Sequence, residues 1–178
     1  MSARPDGAPV AAVAAVAMSA LVGRADYPMY VVTASAGGET SGCLVGFLTQ
    51  CSILPARLFV CLSKENHTAS VAAGAGTLGV HLLGRDQLAM AALFGARTGD
   101  RDDKLAGVHW HEGAAGTPIL DDCAAWVEGR VRERFDLGDH VGHLLDPVAG
   151  GGGGAPGCLF YSQVRDLRPG HPAGEGAH

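Results

Sequence analysis

The stretch Gly42-Cys43-Leu44-Val45-Gly46-Phe47-Leu48-Thr49-Gln50-Cys51-Ser52 decides how the chain is read, together with the three segments C-terminal to it. These are the linker Ile53-Leu54-Pro55-Ala56-Arg57, the apolar run Leu58-Phe59-Val60-Cys61-Leu62 and the polar cluster Ser63-Lys64-Glu65-Asn66-His67-Thr68. The first part is small and uncharged, suited to lying flat against a planar ring. The last gathers a cation, an amide, an imidazole and hydroxyls at a helix start, where unpaired N–H groups favour an anion such as a phosphate. The apolar run between them has strand composition. A ring site and a phosphate site are therefore expected at opposite ends of one strand. Taken alone, the same residues also describe a strand end, a turn before Pro55 and a solvated helix cap.

Outward from this stretch the chain alternates short apolar runs with turn signals. Tyr27 to Ala34 is a strand, Ser35-Ala36-Gly37-Gly38-Glu39 a turn, and Thr40 to Leu48 the return strand of a hairpin. Thr49, Gln50 and Ser52 then fall on a short loop. Helix is expected over Asn66 to Ala75, capped by Asn66 or Thr68, and over Asp86 to Phe94, with strand from Thr77 to Leu83 between them. Ala124 to Phe135 and His140 to Val148 are strands joined by the turn Asp136-Leu137-Gly138-Asp139. Gly150 to Gly154 is expected as a mobile loop, and Cys158 to Gln163 as a last strand. Strands outnumber helices, so the expected core is a mainly antiparallel barrel or sandwich with a few helices outside.

At 178 residues the chain is long enough for one well-packed domain, expected over about 10–167 with flexible tails at 1–9 and 168–178. Its 47% apolar and 17% charged content excludes a disordered polymer. A net charge of -5 without a basic stripe argues against nucleic acid as a partner. Cys43, Cys51, Cys61, Cys123 and Cys158 are odd in number and scattered, which points to buried thiols in a reducing cytoplasm. Ala8 to Val22 is short for a membrane span and lacks a clear cleavage site, so it is read as a packed N-terminal helix, Val10 to Val22.

The remaining motifs exclude more than they assign. Phe94-Gly95-Ala96-Arg97-Thr98-Gly99-Asp100 lacks the spacing of a nucleotide P-loop, and Asp103 and Lys104 are read as caps or ion pairs that fix the loop. His109 and His111 share a face if extended, whereas His140 and His143 do not, and no carboxylate or thiol stands at ligand spacing; no metal site is expected. There is no Gly-x-Ser-x-Gly elbow and no paired-carboxylate signature of a hydrolase. Thr49, Gln50 and Ser52 do offer hydroxyl and amide groups suited to the polar edge of a flavin ring.

Read in order, these segments resemble the flavin reductase-like family, whose fold is the FMN-binding split barrel. The resemblance runs from Tyr27-Pro28-Met29-Tyr30-Val31-Val32-Thr33 through Gly42 to Ser52, Ser63 to Thr68, Phe94 to Asp100, Asp103-Lys104-Leu105, Trp110, Gly116-Thr117-Pro118-Ile119-Leu120 and Gly138-Asp139-His140 to Leu159-Phe160-Tyr161. It implies an antiparallel split β-barrel with peripheral helices and hydride transfer from NADH or NADPH to FMN, with FAD as the other flavin. It implies that Gly46, Phe47, Leu48, Thr49, Gln50, Cys51 and Ser52 run along the ring and ribityl chain. Ser63, Lys64, Asn66, His67 and Thr68 would hold the phosphate, and Phe94 and Arg97 would lie near the flavin. His140, in Gly-Asp-His, would face the nicotinamide. It further implies a homodimer and a flavin-dependent monooxygenase as the user of reduced flavin. The chain departs from the Asp-Pro-Pro of many such reductases at Leu54-Pro55-Ala56. A non-catalytic flavin- or haem-binding module on the same barrel is the alternative, and a barrel without cofactor that serves as an interaction domain is a third.

Overall fold

The computed structural model of the protein describes residues 10–96, 103–152 and 157–167. β1 (Tyr30–Ala36) and β2 (Glu39–Val45) form the expected hairpin, paired from Tyr30 with Val45 to Ala36 with Glu39. Gly37 and Gly38 make its turn with φ of 61° and 82°, a conformation that costs glycine nothing and other residues strain. A second hairpin joins β3 (Leu48–Ile53) to β4 (Ala56–Ser63), and α2 (His67–Gly74) comes next, capped by Asn66. Then come β5 (Thr77–Leu82), α3 (Leu88–Ala96), a 3-10 turn (Lys104–Gly107), the short pair β6 (Trp110–Glu112) and β7 (Pro118–Leu120), β8 (Ala125–Asp136), β9 (His140–Gly152) and α4 (Tyr161–Val164). The helix at the beginning is α1 (Val10–Val22).

Seven strands make one antiparallel sheet in the order β2-β1-β5-β8-β9-β4-β3. Its outermost strands, β2 and β3, are consecutive in the chain and separated only by Gly46 and Phe47. Laid flat at about 4.8 Å per strand, the two edges would stand roughly 29 Å apart. Three residue steps from Val45 to Leu48 reach at most about 11 Å. The sheet must therefore curl until its edges nearly meet, and it stays open along one seam, as a split barrel. At the seam Leu48 N donates to Gly46 O (3.0 Å), a three-residue bend that ends β2 and begins β3.

Alternation along the strands sorts two cores. Val32, Ala34, Cys43, Val45, Val60, Leu62, Leu78, Val80 and Leu145 pack together inside the curl against Val71, Ala72 and Ala75 from α2 and the residue after it. Val31, Met29, Leu83 and Leu120 pack outside with Ala91 and Phe94 of α3, Leu105, and Leu159 and Val164 near the C-terminal end. The β6–β7 pair lies over the outer face on buried polar contacts. Thr33 Oγ1 donates to Pro118 O (2.6 Å), Leu120 N donates to His81 Nε2 (3.1 Å), and Ala115 N donates to Glu128 Oε1 (3.1 Å). Because Nε2 accepts, the proton of neutral His81 sits on Nδ1, 3.0 Å from Val31 O.

Several expectations fail for identifiable reasons. The second strand does not run from Thr40 to Leu48 unbroken, because the bend at Gly46 divides it. Thr49, Gln50 and Ser52 lie on β3 rather than a loop, with a bulge between Gln50 and Ser52. Gly150 to Gly152 are not a mobile loop but the end of β9, paired with Val127, Trp126 and Ala125; a Cβ at Gly151 would stand 3.0 Å from the Trp126 indole, so glycine there permits close approach. Gly153 and Gly154 lie outside the described residues. Cys158 to Gln163 forms one bridge, Phe160 to Pro28, and the start of α4 instead of a strand. α1 has its expected bounds but not its expected packing: Val16 is 70% and Leu21 69% exposed. Among the thiols Cys43 is buried, whereas Cys51 is exposed. No helix among the described residues is long and apolar enough to cross a membrane.

Candidate active site

Three segments singled out in the sequence meet at the C-terminal end of β4. Ser63 pairs with His140 in the register of β4 and β9, and Lys64 N donates to Asp139 O (2.9 Å). On the other side of β4, Cys61 N donates to Phe47 O (2.9 Å). These two pairings bring the Phe47 ring to the His140 imidazole, with centroids 5.3 Å apart and planes at 46°. The ring segment runs along β4, with Leu48 paired to Val60 and Ser52 to Arg57. Thr49 to Ser52 and the Ser63–Lys64 cluster therefore fall toward opposite ends of the strand, with Phe47 between them beside Cys61.

The turn that carries His140 is fixed from both sides. Asp136 Oδ1 accepts from Gly138 N (3.0 Å) and from Lys64 Nζ (2.7 Å), and Gly138 has φ of 98°. The Lys64 hydrogen bond leads in holding the Asp136 carboxyl below its ordinary range. His140 Nδ1 lies 2.9 Å from Asp139 Oδ1, and that hydrogen bond lowers the Asp139 carboxyl in turn. With Nδ1 turned to the carboxylate, Nε2 is the nitrogen left to address a ligand.

At the start of α2, Asn66 Oδ1 accepts from Thr68 N (3.1 Å). Thr68 is fully buried with its hydroxyl 2.9 Å from Ser41 Oγ, and His67 Nε2 lies 2.7 Å from Glu39 Oε1. Asn66, His67 and Thr68 thus shape the helix start and tie it to β2, while Ser63 and Lys64 stand beside His140. Phe94 is 1% exposed in the outer core, with one ring atom 2.7 Å from where a Cβ on Gly42 would be; it does not join the group around Phe47. Arg97 lies outside the described residues. Asp103 caps the 3-10 turn as expected, and Lys104 Nζ, buried, donates to Gly42 O (3.2 Å) and Phe94 O (3.1 Å).

β3 is an edge strand, so alternate N–H and C=O groups along Leu48 to Ile53 face outward. Inside the curl, a mainly apolar cleft of about 340 Å³ opens between β3 and β4 on one wall and β1, β5 and β8 on the other. Tyr30, Leu48, Gln50, Leu58, Leu82 and Trp126 contribute to its lining. Two rings that sequence reasoning did not place in the site extend it: Tyr27 lies 6.5 Å from Phe47 and stacks on Tyr161 at 5.0 Å and 15°. The signal was the scarcity of aromatics, 6% of the chain, against their concentration at these positions.

The donor set suits a flavin. An open strand edge offers main-chain groups to the polar side of an isoalloxazine, Phe47 offers an apolar face, and Lys64 offers a cation to a phosphate. A curled antiparallel sheet with its seam lined this way defines a split-barrel protein of the flavin-binding type. The family model described as "Flavin reductase like domain" matches residues 22–166, and the chain belongs to that family. It is 34% identical over 112 residues to the "Probable flavin reductase" of Rhizobium meliloti (strain 1021), covering 62% of this chain and 35% of that one. It is 30% identical over 125 residues to the "Ferric-chelate reductase (NAD(P)H)" of Archaeoglobus fulgidus, covering 67% of this chain and 74% of that one. The chain therefore spans about a third of the first relative and about three quarters of the second. A flavin reductase domain protein from Arthrobacter sp. FB24 has the same fold, with a TM-score of 0.75 at 23% identity over 89% of this chain and 95% of that one.

Proposed function

We propose that the protein is an NAD(P)H:flavin oxidoreductase that binds FMN at the seam. The observation that carries this is the contact of Phe47 with His140 beside Ser63 and Lys64, because three separate sequence segments build one end of the site. Bound flavin supplies the two-electron chemistry, accepting a hydride from the nicotinamide donor. Main-chain groups of Gly46 to Ser52 hold the ring edge, and the apolar wall keeps water away from it. Lys64 and Ser63 hold the phosphate, with Asn66, His67 and Thr68 fixing the helix start behind them. His140, steadied by Asp139, positions the donor ring against the flavin side of Phe47.

The reading extends to the assembly and its surroundings. α1 carries no charged residue and exposes Val13, Val16, Met18 and Leu21, and Ile53 and Leu54 at the β3–β4 tip are 83% and 94% exposed. A second copy of the chain is the partner these surfaces fit, giving a homodimer. The five unpaired cysteines suit a reducing cytoplasm, and reduced flavin passes to an acceptor such as a flavin-dependent monooxygenase.

An absorbance spectrum of the FMN-loaded protein, before and after anaerobic NADH and then NADPH, tests the function. Bleaching of the flavin bands by either donor is expected. A stable bound chromophore that neither donor bleaches would overturn the reductase reading in favour of a non-catalytic binding module. Sedimentation of the protein tests the dimer.

A further inference from the structure

Four rings form a row across the seam. His140 meets Phe47 at 5.3 Å, Phe47 meets Tyr27 at 6.5 Å, and Tyr27 stacks on Tyr161 at 5.0 Å. With the nicotinamide at the His140 end, the Tyr161 end is left unused. There Tyr161 is 40% exposed as a residue, and its ring stacks on Tyr27 through one face. The backbone fixes this end: Tyr161 N donates to Tyr27 O (2.9 Å), and Met29 N donates to Leu159 O (2.8 Å).

Beside the stack stands a carboxylate. Asp26 Oδ1 accepts from Ser162 N (3.0 Å) and Oδ2 accepts from Ser162 Oγ (2.7 Å), and Asp26 is exposed. A carboxylate has about four acceptor positions, so both oxygens retain capacity toward a ligand. Those serine contacts also keep the Asp26 carboxyl below its usual range, so it is an anion at neutral pH. Arg165, just beyond α4, also acts on Asp26 electrostatically, but more weakly than the Ser162 contacts.

We propose that the Tyr27–Tyr161 stack with Asp26 is the adenosine end of the donor site, with the adenine on the face of Tyr161 opposite Tyr27 and the ribose hydroxyls on Asp26. The assignment rests on the reductase reading. A purine stacks on an exposed tyrosine without needing a specific hydrogen bond. An acidic side chain beside the ribose accepts from a free 2′-hydroxyl and repels a 2′-phosphate. The site therefore favours NADH over NADPH. The row is also longer than one ligand ring requires, which a dinucleotide explains because it carries a planar group at each end.

Calorimetry of the FMN-loaded protein with AMP and with adenosine 2′,5′-bisphosphate tests this without turnover. AMP is expected to bind more tightly than the bisphosphate. Tyr161→Ala weakens AMP about tenfold, the size of one base stack, and Tyr161→Phe retains it. Asp26→Asn, which keeps an acceptor for Ser162, brings the two ligands toward equal affinity. AMP that fails to bind, or binds Tyr161→Ala as well as the parent, overturns the assignment. A Tyr161→Ala change that alters the oligomeric state while leaving AMP affinity intact overturns it in favour of an interface. Flavin-dependent NADH oxidation without AMP binding removes this assignment alone, whereas AMP binding without such oxidation removes the reductase reading and leaves the adenosine site.

Discussion

Gly46 and Tyr27 occupy space that a side chain on the former would take from the latter: a Cβ at Gly46 would stand 2.3 Å from Tyr27 Cε2. The bend between β2 and β3 therefore calls for glycine because the Tyr27 ring fills the space a side chain would need. Gly46→Ala should push the Tyr27 ring away from Phe47 and Tyr161. The expected cost is about 1–3 kcal/mol, the usual range for overpacking. Thermal denaturation measures it, and weakened FMN retention should accompany it. An unchanged midpoint would mean that Tyr27 has space to move.

Lys64 separates binding from folding. Its ion pair with Asp136 is exposed on both sides and contributes little to stability. A lysine on a phosphate is worth more, about 1.5–3 kcal/mol for a charge-assisted hydrogen bond. Lys64→Ala should raise the FMN dissociation constant by about tenfold or more, with the unfolding midpoint nearly unmoved. Fluorescence titration with FMN decides this, and riboflavin, which lacks the phosphate, should show no difference between parent and variant.

His140→Ala should act on the donor step. Removing the imidazole leaves β3 and Lys64 in place, so FMN affinity should change little while the rate of flavin bleaching by NADH falls about tenfold, equivalent to about 1.4 kcal/mol. Stopped-flow absorbance separates the two effects. Equal loss of flavin binding and of bleaching would show that His140 holds the cofactor instead.

His81 sets an acid limit on stability. Burial pushes its imidazole from 6.5 down to about 4. As pH falls below 6.5 the unfolded chain takes up a proton that the folded chain refuses, so stability declines until the pH reaches about 4. The full loss is roughly 3 kcal/mol. Urea denaturation at pH 7 and pH 4.5 should show this decline, and His81→Phe, less stable at neutral pH because Leu120 N loses its acceptor, should show a smaller one.

Thiol chemistry should report on the seam. Cys51 lies exposed at the β3 bulge, whereas Cys43 is buried and its thiol is pushed up to about 11 by burial. Iodoacetamide labelling read by mass spectrometry should therefore modify Cys51 well before Cys43. Bound FMN should slow labelling of Cys51 if β3 holds the ring. Labelling unaffected by FMN would place the ring elsewhere along the seam.

Local signals were legible where a residue has one physical consequence. Gly37-Gly38 between alternating apolar runs marks a hairpin turn, and the run after Asn66 and Thr68 narrows the helix cap to those two residues, of which Asn66 is the one that caps. Phe47, Ser63, Lys64 and His140, expected to face a ligand, come together toward one end of β4. What local sequence does not show depends on distant partners. Gly150 to Gly152 suggest looseness until the Trp126 indole is known to lie across them. Thr68 suggests a phosphate ligand until Ser41, on another strand, is found beside its hydroxyl. Phe94 suggests a ring contact until Gly42 is seen to open a space for it. In each case the deciding atom belongs to a residue far away in sequence.

The two-residue link between β2 and β3 has a consequence for the order of assembly. The β1–β2 and β3–β4 hairpins are neighbours in the chain, yet β5, β8 and β9 must be in place before their free edges come to face one another. Local hairpins can form early, but the seam is complete only when the longest loop closures have been made. Competence to bind flavin should therefore appear late in refolding, after far-ultraviolet circular dichroism has recovered. The ligand would then bind only chains that have finished folding, and would draw slow folders toward the native state by mass action.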